Sequence, residues 1–192
     1  MESNQVNTGA EQVRAEAMPV RSLNIIYGPN SFLKKRSLEV TESEFGEDLA
    51  ALSDLMLESM KNLKGAGLAA VQIGLLKRVF VANIKDVDLV MVNPVITDAS
   101  EEMINSQEGC LSLPIYRFGA VRHKNITVKF QDPLGNEYEE TYFDEESVII
   151  QHEMEHLDGI TLLDKLSRLK QDIYKRKFIK LKKKLNRNRK IR

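Results

Sequence analysis

Tryptophan is absent from this 192-residue sequence, cysteine occurs once and histidine three times. A lone cysteine excludes an internal disulfide framework and fits a reducing compartment. No apolar run approaches the roughly 18 residues that a membrane span needs. The first 22 residues lack the apolar stretch of a secretory signal and carry Glu2, Glu11 and Glu16 instead. Internal repeats and Ser/Gly linkers are missing too, so one domain with tails is expected. Apolar residues at 42% and charged ones at 29% are too apolar a mixture for full disorder. Net charge is also lacking, with 28 Lys+Arg against 28 Asp+Glu. That zero averages two unlike parts. Residues 1–164 carry 14 basic and 27 acidic side chains, net −13, whereas residues 165–192 carry 14 basic ones and a single acid, Asp172, net +13. The sum therefore excludes no nucleic-acid partner.

Residues 1–21 are polar and aperiodic and read as a flexible leader. A folded body is expected over 22–164 and a basic helix over 165–192. Tyr27-Gly28-Pro29-Asn30-Ser31 is a turn cluster. Thr41 with Glu44 resembles a capping box, and Phe45, Leu49, Leu52, Met56 and Met60 recur at helical spacing. A helix is predicted over about 43–63, stopped by Gly65. Val79–Ile84 and Leu89–Ile96 are β-type runs. Ile126, Val128 and Phe130 alternate with polar neighbours, and Tyr138–Phe143 returns after the Asp132–Gly135 turn. A second helix is predicted from near Glu145 through His156, ended by Gly159. A third covers about 165–185, with Leu166, Leu169, Ile173, Phe178, Leu181 and Leu185 among lysines. Helices mixed with antiparallel hairpins place the chain in the α+β class.

The strongest chemical signal is His152-Glu153-Met154-Glu155-His156. Four residues apart on a helix, the two imidazoles share a face and can meet one divalent ion; Glu153 stands beside them for proton transfer. A catalytic site of this kind takes a third protein ligand. The metzincin pattern wants a histidine at 162, where Leu162 stands, and the thermolysin pattern wants a glutamate beyond Glu155, where none follows. Asp158, Asp164 and Asp172 remain downstream, and Cys110 upstream, in Glu108-Gly109-Cys110-Leu111-Ser112-Leu113-Pro114. A thiolate binds zinc or ferrous ion well, although a lone cysteine is ordinarily a small buried hydrophobe. Gly109 and Pro114 mark a special backbone there. A third segment, Gly65-Ala66-Gly67-Leu68-Ala69-Ala70-Val71-Gln72, allows close backbone approach at its glycines and offers the Gln72 amide to a developing oxyanion. His123, between Arg122 and Lys124, lies outside every motif and is expected in a solvated loop.

Together, GAGLAAVQ (65–72), EGCLS (108–112) and QHEMEHL (151–157) resemble, in order and spacing, the three signature motifs of the peptide deformylase family. The resemblance covers residues 22–165 and, through the basic helix, the tail. With 37 residues between Gln72 and Cys110, it is similar to the shorter bacterial form. Two positions depart from the family. Val71 stands where many members have proline, and Glu155 where most have aspartate. The extra methylene at 155 is expected to alter a contact behind the ligands, with Arg122 the candidate partner, and so to reduce activity.

The resemblance implies small antiparallel sheets enclosing the HExxH helix, with a helix at the C-terminus. It implies Cys110, His152 and His156 around one divalent ion, Fe(II) in the cell, with Zn(II), Ni(II) or Co(II) as other occupants. The implied reaction removes the N-formyl group from the initiator methionine of new polypeptides and releases formate. Glu153 would move the proton, while Gln72 and the Leu111 N–H would hold the oxyanion. Gly65, Gly67 and Gly109 would bind the peptide, and Val148 and Ile149 its methionine. Glu108 and Arg117 would supply charge beside the ligands or the substrate. The tail would dock on ribosomal RNA through Lys170, Lys175, Arg176, Lys177, Lys180, Lys182, Lys183 and Lys184; a membrane surface is the weaker target. A cytoplasmic bacterial monomer is expected, with an organellar origin left open. Two other functions stay in view: an HExxH endopeptidase with Asp164 or Asp172 as third ligand, and a non-catalytic ribosome-binding relative.

Overall fold

Two antiparallel sheets and three helices make up the computed structural model, which describes residues 23–189. The leader expected over 1–21 lies outside the described residues. In chain order the elements are α1 (Glu47–Asn62), β1 (Gly67–Ala69), β2 (Val79–Ile84), β3 (Val87–Ala99), β4 (Met103–Glu108), β5 (Phe118–His123), β6 (Asn125–Gln131), β7 (Glu137–Phe143), α2 (Asp144–Leu157) and α3 (Arg168–Arg189). The larger sheet has the order β1-β2-β3-β6-β7, and β4 pairs with β5 alone.

β2 explains the layering. Its sequence runs apolar almost without alternation because both of its faces are buried. Val79 and Val81 point to one side, where Met56 and Met60 of α1 fill a cluster with Leu68 and Val92. Phe80 and Ala82 point to the other, against Ile150, Met154 and Leu157 of α2. Met56 and Met60 are completely buried, each worth roughly 2 kcal/mol of apolar transfer. The sheet thus separates α1 from the helix that carries the two histidines.

Hairpin chemistry sets the registers. Lys85 and Asp86 both take positive φ, at 49° and 65°, forming the two-residue turn that pairs Ile84 with Val87. Asp132 Oδ1 accepts from the N–H groups of Leu134 and Asn136 at 2.8 and 3.0 Å and closes the β6–β7 turn.

Three expectations need correction. The Thr41–Glu44 box, with Thr41 N–H donating to Glu44 Oε2 at 2.9 Å, closes a single 3-10 turn; α1 begins at Glu47, because Gly46 adopts a φ of 128° between them. α1 ends at Asn62, and Lys64, with φ 57°, makes the left-handed turn assigned to Gly65. His123 is not a loop residue. It ends β5, its backbone bonds to the Gln151 side chain, and its Nδ1 lies 2.7 Å from Ser100 O. The sequence also hides β1, which is only three residues long, and β4 and β5, whose runs mix polar and apolar residues on both faces.

Candidate metal centre

α2 presents the motif. Asp144, Glu145 and Glu146 lie in its first turn, where acids complement the helix dipole. Gln151 and Ser147 stitch it to β5 by donating to His123 O, each at 2.8 Å. Gly159, with φ 74°, turns the chain away after its last residue. His152 and His156 therefore project from one face, ring centroids 5.0 Å apart.

Cys110 reaches them from the loop after β4. Its Sγ lies 3.2 Å from His156 Nε2, and the ligand atoms of Cys110, His152 and His156 all fall within 4.8 Å of one another. Bonds of roughly 2.0–2.3 Å at tetrahedral angles would place such atoms about 3.3–3.6 Å apart, so thiolate and imidazoles fit a divalent ion. All three are buried, as a closed set of soft and borderline ligands should be. Among the described residues no other group of three His, Cys, Asp or Glu converges in this way. Asp164 instead pairs with Lys34 and caps Thr161, and Asp158 pairs with Arg78 at 2.7 Å.

Behind the ligands runs a chain of charges. His152 Nδ1 lies 2.8 Å from Glu108 Oε2, which leaves Nε2 for the ion. Arg122 grips both Glu108 oxygens at 2.7 and 2.8 Å, and Ser106 donates to the same carboxylate at 2.6 Å. Arg122 also meets Glu155 at 2.7 Å, and Lys165 meets Glu155 at 2.6 Å. Burial alone would raise the Glu108 pKa, but Arg122, His152 and Ser106 together hold it well below the usual carboxylate range. Burial also opposes charge on His152, yet its bonds with Cys110 and Glu108 raise it; His156, fully enclosed, is driven down by burial and by positive neighbours.

Glu153 is also buried, and burial lifts its pKa to about 7 against the pull of His152. Its Oε2 has no hydrogen-bond partner, and its stem lies so close to Gly67 that no Cβ fits there. Gln72 sits opposite: Oε1 accepts from Ala69 N–H at 2.7 Å, while Nε2 donates to Ser112 Oγ at 3.1 Å and reaches Cys110 Sγ at 3.7 Å. A cleft of about 520 Å³ opens in front of them. It gathers the predicted residues Gly65, Gly67, Gln72, Glu108, Gly109, Cys110, Leu111, Arg117, Val148, Ile149, His152 and Glu153 on one lining; His156 stands behind it. Glu108 is engaged by Arg122 and His152, so its charge is turned to the ligand. Arg117 donates to Gln107 O at 3.2 and 2.8 Å. The lining also includes Tyr27, Lys64, Gln107, Pro114 and Glu145, which sequence reasoning missed. Nothing local to Tyr27 or Lys64 announces a site; only the fold brings them to Leu111.

The basic tail forms α3. Its buried contacts are Tyr174 and, in part, Phe178 and Leu181; Leu169 and Ile173, expected on the apolar stripe, are exposed. Lys170, Lys175, Arg176, Lys177, Lys180, Lys182, Lys183 and Lys184 are exposed, with Lys177 Nζ 4.8 Å above the Tyr116 ring and Lys175 3.6 Å from Asp172.

A thiolate and two imidazoles converging beside a buried, proton-ready carboxylate define a metallo-hydrolase. Comparison with known proteins narrows the class. Residues 22–172 match the family model described as polypeptide deformylase. The peptide deformylase of Rickettsia akari (strain Hartford) is 41% identical over 170 residues, covering 83% of this chain and 96% of the relative. The crystal structure of a peptide deformylase from Legionella pneumophila superposes with a TM-score of 0.80 at 35% identity, covering 87% of this chain and 99% of that one. A class I type b peptide deformylase from Acinetobacter baumannii, bound to Met-Ala-Ser, does so with a TM-score of 0.73 at 29% identity, over 77% and 100% of the two chains. The chain belongs to the polypeptide deformylase family.

Proposed function

We propose that the protein hydrolyses the N-formyl group from the N-terminal methionine of newly made polypeptides. One observation carries this reading: the Cys110, His152 and His156 ligand atoms converge at the back of one cleft whose lining also holds Glu153 and Gln72. Cys110, His152 and His156 hold the ion, with Fe(II) the native metal and Zn(II), Ni(II) or Co(II) able to replace it. When bound, the ion lends Lewis acidity to the formyl oxygen and to the attacking water.

The chain's own residues do the rest. Glu153 takes the water's proton and hands it to the leaving amine; a carboxylate poised near 7 can serve in both directions. The Gln72 amide and the Leu111 N–H donate to the oxygen that gains charge. Glu108 keeps the His152 proton on Nδ1. The backbone around Gly65, Gly67 and Gly109 pairs with the substrate as an added strand, which reads a peptide without reading its sequence. Val148 and Ile149 take the methionine side chain, and Arg117 borders the peptide. The Met-Ala-Ser complex of the Acinetobacter relative supports a short N-terminal peptide as occupant.

The body over 22–164 acts as the catalytic unit, as a cytoplasmic monomer. α3 carries it to ribosomal RNA, where cations neutralise phosphates and release counterions. Ribosome affinity should fall steeply with salt and drop when Lys180, Lys182, Lys183 and Lys184 are changed to glutamine. An unchanged affinity refutes the tethering role. The activity itself is tested with anaerobically purified, Fe(II)-loaded protein and formyl-Met-Ala-Ser. Formate release is expected; metal-loaded protein that releases none overturns the assignment.

A further inference from the structure

Behind Cys110 the fold builds a support that the reaction itself does not use. Cys110 sits in the loop joining β4 to β5, which leaves at Glu108 and returns at Phe118; these two residues face each other in the hairpin register. Its first turn is closed by Leu113 N–H donating to Cys110 O at 2.9 Å. The base of the loop carries two aromatic rings, Tyr116 and Phe118, packed edge to face at 6.3 Å.

What covers those rings comes from the tail. The Tyr174 ring of α3 lies 5.9 Å from each of them, centroid to centroid. The Phe178 ring lies nearly parallel to it, at 6.3 Å and 10°, and Lys177 covers Tyr116. Tyr174 is completely buried, in one cluster with Cys110, Leu113, Phe118, Leu162 and Leu163. It is the largest fully buried side chain among the described residues, and it belongs to a helix whose Leu169, Ile173 and Ile179 are left exposed. Tyr174 is therefore the most deeply buried contact of α3, and it packs on the metal-ligand loop, while Phe178 meets Gly28 beside it. Close-packed side chains transmit position, so a ring wedged at the base of a loop constrains the loop's tip.

From this placement we infer that Tyr174 is a positioning residue for Cys110: its ring clamps the base of the β4–β5 loop and so sets where the thiolate meets the two imidazoles. The inference rests on Cys110 being a ligand, as proposed above. The Tyr174 hydroxyl has no hydrogen-bond partner, so the role belongs to the ring. Docking of the tail helix and geometry at the metal are then one structural event.

The test uses the full-length protein loaded with Co(II), whose thiolate charge-transfer band reports the Cys110 bond directly. The rate of metal release to a chelator is the second readout. Tyr174→Phe keeps the ring and should match wild type within about twofold in both. Tyr174→Ala should weaken and shift the band and speed release on the order of tenfold, as loss of groups supporting a ligand does. If Tyr174→Ala does not fold, Tyr174→Leu is read in its place and should move both readouts in the same direction. A purely structural role lowers Tm without moving the band. Alanine or leucine protein with wild-type band and release rate therefore overturns the inference, and so does Tyr174→Phe behaving like alanine. Wild-type protein that binds cobalt without a thiolate band overturns the ligand assignment beneath it, a result independent of whether formate is released.

Discussion

Gly67→Ala is the most revealing single change. A Cβ built on Gly67 would stand 2.7 Å from both Cγ and Cδ of Glu153, whereas ordinary contact begins near 3.4 Å. Glu153 Oε1 lies closer still, so the carboxylate must move by at least about 0.7 Å. The backbone of Gly67 is held in the sheet by its pairing with Ala82. α2 is fixed by Ile150, Met154 and Leu157 in the core and by the Gln151 bonds to His123. The side chain of Glu153 is therefore the part that yields. A misplacement of about 1 Å can cost on the order of 10²-fold in rate, so kcat should fall between about 10-fold and 100-fold. Metal content should stay at wild-type level, because no ligand is touched. Gly65→Ala is the internal comparison: its Cβ meets Leu111 Cδ1 at 2.8 Å, the end of a flexible chain that can swing away. Its loss should be well below that of Gly67→Ala. Steady-state formate release, read beside metal analysis, decides the matter. A Gly67→Ala enzyme within threefold of wild type refutes the claim that the glycine exists to seat the carboxylate.

Other expectations follow from the same contacts. Glu153→Gln should lose on the order of 10²–10⁴ in kcat while retaining its metal; a drop in metal content instead would make the residue a ligand. Arg122→Leu strands the buried Glu108 carboxylate and should cost roughly 3–5 kcal/mol in urea unfolding; a loss below 1 kcal/mol would contradict the network. Gly159→Ala forces a side chain into positive φ with its Cβ 2.5 Å from Lys34 O and should cost roughly 2 kcal/mol or more, read as a lowered Tm with the cobalt spectrum of survivors unchanged. Chelation should lower Tm by about 5–10 °C relative to protein at metal levels near 100 Kd, reversibly on re-addition; an unchanged Tm means the ion contributes nothing to the folded state.

The residues proposed to do chemistry are legible from sequence because their types are rare and their spacing suits the proposed reaction. Two imidazoles four apart, one cysteine and one glutamine in a Gly-Ala turn leave few alternatives. The shape around them is not. β4 and β5 carry Glu108 and Arg122, but their runs alternate weakly because their outward face is exposed and their inward face holds charge. Tyr174 falls off the apolar stripe of Leu166, Leu169, Ile173, Phe178 and Leu181, yet it is the residue α3 buries, while Leu169 and Ile173 point to solvent. Lys64 and Tyr27 line the cleft through tertiary placement alone. A left-handed lysine, and a tyrosine far along the chain from the motifs, leave no local mark.

The departure at 155 keeps the contact it is expected to alter: the Glu155–Arg122 ion pair is made at 2.7 Å. The reach of glutamate also lets the same oxygen meet Lys165 at 2.6 Å. Charges of alternating sign now run from Lys165 through Glu155, Arg122 and Glu108 to His152. The buried pairs among them, Arg122–Glu108 and Glu108–His152, are weak sources of stability, because desolvation offsets their attraction. Their use here is geometric: each fixes the next, and the last fixes the tautomer of a metal ligand. Lys165 is the first residue of the basic segment. The −13 body and the +13 tail therefore meet at the metal centre from two sides, through Lys165 behind His152 and through Tyr174 behind Cys110. Opposite charge drew a boundary through the sequence at residue 165, but the packing places that boundary inside the site's own support.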